Sequence, residues 1–78
     1  MNPVTTTIDL SYPLENGYWG VAQMEVVQVP YTGHLGHETL DTILKVTKVP
    51  EREREIVLPA ILEYVKRSNL KVSDVKFQ

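Results

Sequence analysis

The histidines of the chain, His34 and His37, lie in "YTGHLGHETL", with carboxylates at Glu38 and Asp41 close behind. Imidazole and carboxylate groups are both ligands for zinc. On a helix, His37 and Asp41 would sit one turn apart on one face and could share an ion. The zinc-protease arrangement requires His-Glu-x-x-His, and here the fifth place is Asp41. Gly36 separates His34 from the helix, so the sequence does not fix its direction. The first reading is therefore structural: Gly33 and Gly36 shape a loop, and His37 and Glu38 fill the exposed first turn of a helix. A small metal-binding protein using His34 and His37 stays as an alternative, and neither a metal ion nor a cofactor is expected. A pH-sensitive contact is the other chemistry these imidazoles could supply, since histidine titrates near neutrality.

Other catalytic groups are sparse. The chain has no cysteine, hence no thiolate nucleophile, no thiolate metal cluster and no disulfide. It holds no glycine-rich phosphate loop, no Gly-x-Ser-x-Gly elbow, and no serine placed beside a histidine in a recognisable motif. A carboxylate pair of glycosidase type needs a cleft that 78 residues can hardly enclose. The expectation is a protein without catalytic residues. The alternating run "EREREI" (residues 51–56) reads as a solvated helix face with weak local ion pairs.

The formal charge of −2 conceals an uneven distribution. Residues 1–44 contain Asp9, Glu15, Glu25, Glu38 and Asp41 and no Lys or Arg, giving −5. Residues 45–78 set eight basic side chains against five acidic ones, giving +3. Such asymmetry points to a partner or to head-to-tail packing of copies. Residues 38–62 can be scanned as helix, turn, helix, which makes a helix-turn-helix-like nucleic-acid-binding protein the first alternative, ahead of the metal-binding one. It is disfavoured by Glu51, Glu53 and Glu55 at the start of the supposed recognition helix, where phosphates and bases would approach.

These residues need elements to hold them. Seventy-eight residues form one small domain, 1–78, near the lower size limit for a stable core. Its 42% hydrophobic content is that of a folded chain, yet no apolar run approaches a membrane span and no signal peptide is legible. With no cysteine, this fits a complete cytoplasmic protein. Residues 4–10 and 18–29 are rich in β-branched and aromatic residues and read as strands. A two-residue Asn16-Gly17 turn would mix apolar and polar groups on both faces of their hairpin. A three-residue loop, Glu15-Asn16-Gly17, sets Ile8 against Met24, Leu10 against Ala22 and Leu14 against Tyr18, giving one clean apolar face.

Leu40, Ile43 and Leu44 share one face of a helix over residues 36–48, with acids first and Lys45 and Lys48 last. Pro50 opens a second helix, in which Pro59 either causes a kink or divides the segment. Its stripe Leu58, Ile61, Leu62 and Val65 is apolar, and Asn69 is a left-handed cap. Residues 70–77 read as a last strand whose alternation changes phase at Ser73-Asp74, the mark of a bulge or an end. The expected fold is α+β, ββααβ: a small antiparallel sheet with two helices packed on one face.

The chosen register leaves Pro13, Trp19, Val21, Val27 and Val29 on the face turned away from the helices, with Gln23 and Glu25 between. An uncovered apolar face carrying a tryptophan is a candidate partner-binding surface. The expected function is accordingly a non-enzymatic protein-binding or regulatory protein. Its partner is another protein or a second copy, as a homodimer, rather than nucleic acid or membrane.

Overall fold

The computed structural model describes residues 3–32, 36 and 38–78. Strands β1 (Val4–Pro13), β2 (Trp19–Thr32) and β3 (Glu38–Thr47) form an antiparallel meander. A 3-10 turn (Glu51–Glu53) leads into helix α1 (Arg54–Ser68), and β4 (Val72–Phe77) returns parallel to β3. The sheet order is β1-β2-β3-β4, so the sheet is mixed and one helix covers it.

The first hairpin has the three-residue loop. Leu14 N–H donates to the Tyr18 carbonyl at 2.8 Å and Gly17 N–H to the Leu14 carbonyl at 3.2 Å. Ile8 pairs with Met24, Leu10 with Ala22 and Pro13 with Trp19. Gly17 has φ +83°, a left-handed conformation that a Cβ would strain. Asn16 Oδ1 accepts from Tyr18 N–H at 3.1 Å and fixes the exit of the turn.

The expected ββααβ fold with two helices is corrected at residues 38–47, which form β3 and not a helix. The segment carries β-branched Thr39, Thr42, Ile43, Val46 and Thr47, which are crowded in a helix and fit a pleated strand. Thr42, Leu44 and Val46, spaced by two, are all buried on the helix side. A strand can bury all three while its backbone pairs with β2, an outcome the helical spacing of Leu40, Ile43 and Leu44 could not match. The supposed first helix of a helix-turn-helix is therefore this strand. Lys48, at φ 64°, ends it before Val49-Pro50.

Residues 54–68 form one undivided helix despite Pro59. Both Pro59 and Glu55 are exposed, so the Glu55 carbonyl that loses its donor faces solvent. Asn69 closes the helix at φ 53°, its N–H directed to the carbonyls of Lys66 and Val65. In β4 the register passes from Thr42–Val72 to Ile43–Asp74, leaving Ser73 as the extra residue of a bulge. That single insertion keeps Val72, Val75 and Phe77 together and half-buried on the helix side.

The core lies between the helix and the inner sheet face. Leu10, Tyr12, Ala22, Met24, Val26, Leu44 and Val46 meet Val57 and Ile61. Tyr12 lies opposite Gly20, where a Cβ would stand within 2.6 Å of Cε2 and 2.7 Å of the hydroxyl oxygen. The glycine is thus a socket for the tyrosine ring. No helix among the described residues is long and apolar enough to cross a membrane.

Candidate docking face

In a strand successive side chains alternate between faces, so the even-numbered core residues of β2 leave Trp19, Val21, Gln23, Glu25, Val27 and Val29 on the far side. The described helix packs on the other face, and nothing among the described residues covers this one. Trp19 is 67% exposed and Val21 58% exposed. Pro13 is exposed beside Trp19 in a cross-strand pair, while Val27 and Val29 are half-buried.

The five expected contact residues share a face but not one spot. Pro13, Trp19 and Val21 form a cluster at the turn end; Val27 and Val29 form another, separated by Gln23 and Glu25. Between the clusters Glu25 sits directly opposite Lys45, and Gln23 lies between Asp9 and Thr47. An opposite-charge cross-strand pair of this kind contributes modestly to a sheet, about 0.2–1 kcal/mol. Sequence reading missed Ile43, which stands opposite Val27 on the same face and enlarges the second cluster. Tyr18, expected opposite Leu14 on the apolar inner face, is instead exposed at the hairpin end.

A second polar feature ties the hairpin to the helix. The Tyr12 hydroxyl, on a side chain 1% exposed, donates to Glu53 Oε1 at 2.8 Å. Burial, then the hydrogen bond to Glu53, then its negative charge hold the Tyr12 hydroxyl above the usual tyrosine value. Contrary to the solvated face expected of residues 51–56, the Glu53 carboxylate is largely covered and also lies 3.9 Å from the Arg52 guanidinium. An open groove of about 380 Å³ beside this contact is lined by Leu14, Glu15, Asn16, Arg52, Glu53 and Ile56.

The metal alternative falls on His34 and His37, which lie outside the described residues. Among the described residues no cluster of His, Cys, Asp and Glu could hold a metal ion.

Neither a family model, nor a curated protein, nor a solved structure matches this chain.

Proposed function

We propose that the chain is a non-catalytic protein-binding module whose helix-free sheet face, led by Trp19, docks on another protein. One observation carries the reading: a tryptophan and a valine stand largely in solvent, side by side, on a strand paired on both edges. Large apolar side chains held rigidly in this way lose little conformational freedom on binding, and tryptophan is enriched where interface energy concentrates. On the same face Glu25 is paired with Lys45, and Asp9 adds a carboxylate beside Gln23 that favours a basic group on the partner.

Trp19 is the sole tryptophan, so its emission reports this face alone. The isolated chain is expected to emit as a solvated indole and to be quenched by iodide. Affinity capture from the native cell, repeated with Trp19→Ala, should lose the bound protein while the thermal midpoint stays within about 2 °C. Loss of a hot-spot tryptophan weakens binding by roughly thirtyfold or more. Equal retention by both forms, or no retained protein at all, counts against the reading.

A further inference from the structure

The free edge of β1 has a pattern that fits one occupant, a second copy of the same strand. Leu14 directs its N–H to β2, and antiparallel pairing alternates, so Tyr12, Leu10 and Ile8 turn their backbone groups the same way. Thr5, Thr7, Asp9 and Ser11 therefore direct N–H and C=O outward from the sheet. Edge strands are commonly blunted by lysine, a bulge or an internal proline. Here β1 has no Lys or Arg and pairs with β2 without a break, and the prolines stand only at its ends, Pro3 just before it and Pro13 as its last residue.

Beside this edge the sheet and helix part to form an open groove of about 380 Å³. Ile8 and Leu10 supply one wall and Ala60 and Tyr64 the other, with Glu63 and Arg67 at the helix rim. An added strand would place alternate side chains in this groove.

We propose that two copies pair antiparallel through β1, about a two-fold axis at Ile8, and join their sheets into one. Centred there, Thr5 meets the partner's Ser11 and Thr7 meets the partner's Asp9. Every outward donor then has an acceptor, and Pro3 falls opposite the partner's Pro13, where neither can donate. A two-residue slip toward the turn sets Asp9 against the partner's Asp9, acid on acid, and Thr5 against the partner's Pro13. The opposite slip sets Ser11 against the partner's Pro3. Charge and donor pattern therefore select a single register. On the groove side the two Ile8 side chains meet on the axis, and Val4, 59% exposed in the monomer, comes beside the partner's Tyr12. A chain this short gains the burial its own core is too small to supply. The surface is distinct from the Trp19 face, which stays open on both copies.

The test uses the full chain and reads mass by sedimentation equilibrium. A dimer is expected, and its dissociation constant should respond oppositely to two charge variants at exposed Thr7. Thr7→Lys meets the partner's Asp9 and tightens association; Thr7→Asp faces that acid and weakens it. Each substitution acts twice by symmetry, so the two should differ by about fivefold or more. Oxidation of Ile8→Cys, in a chain with no other cysteine, should give a covalent dimer, since facing non-hydrogen-bonded positions lie about 4.5 Å apart at Cα. Ser11→Cys, far from the axis, should not cross-link. A monomer at millimolar concentration overturns the proposal. So does a dimer that ignores both Thr7 variants and fails to cross-link through position 8; if that dimer instead dissociates with Trp19→Ala, copies meet through the Trp19 face.

Discussion

Tyr12 shows how one residue can join parts of the chain that sequence patterns treat separately. Its ring needs the bare Cα of Gly20 beneath it, and its hydroxyl needs Glu53, 41 positions away. The glycine was legible once the hairpin register was argued, because Tyr12 and Gly20 are then partners. The carboxylate was not, since local charge alternation resembles a wet helix face and carries no record of a distant donor. Tyr12→Phe should destabilise the fold by about 1.5 kcal/mol near neutrality, the scale of a hydrogen bond to a charged acceptor. The folded tyrosine holds its proton more tightly than the unfolded one. Its contribution is therefore fully present below the unfolded value of about 10 and is lost as pH rises through the folded value above it. Denaturant titrations of both forms from pH 7 to 11 should give a constant difference at first and a shrinking one above about pH 10. A difference that stays flat to pH 11 would refute this account.

Among the elements, the hairpin was readable and the third strand was not. The hairpin is local: a one-residue slip exchanges the two faces, so only one loop length yields an apolar side. The broken alternation at Ser73-Asp74 allowed a bulge or a strand end, and the pairing with β3 makes it a bulge. In residues 38–47 two periodicities coexist, and the acid-first, base-last arrangement of Glu38, Asp41 and Lys45 imitates a helix. What decides is tertiary: residues 42–46 pair with β2, setting Leu44 opposite Val26 and Ile43 opposite Val27, while Thr42, Leu44 and Val46 are buried against the helix. Ile43 was lost from the candidate face for this reason, while Trp19 and Val21 were placed by the hairpin alone. Pro59 illustrates tertiary override in the helix. Its N–H is missing and its ring is exposed, so Pro59→Ala should stabilise the chain by about 1–3 kcal/mol, restoring a backbone bond. The thermal midpoint should rise; a fall would mean that the unfolded chain, not the helix, dominates the effect of the proline.

For the whole molecule, one thin core is formed by a single helix on four strands, with the opposite sheet face and the β1 edge uncovered among the described residues. Charge is unequal across the sheet as well: β1 has Asp9 and no base, whereas β4 holds Lys76 against Asp74 with Lys71 just before it. If copies join along β1, stability and association are coupled. Each tenfold rise in concentration above the dissociation constant then adds about 1.4 kcal/mol per mole of dimer. Calorimetric midpoints should climb by several degrees over a hundredfold concentration range, and a midpoint independent of concentration would separate folding from self-association. The parallel return of β4 also imposes an order in time. During translation β4 emerges after both the strand it lines and the helix that carries it there, so the nascent chain presents β3 as a bare border until Phe77 has cleared the ribosome. A chaperone that caps strands would find the edge of β3 in that interval and lose it once β4 has paired there.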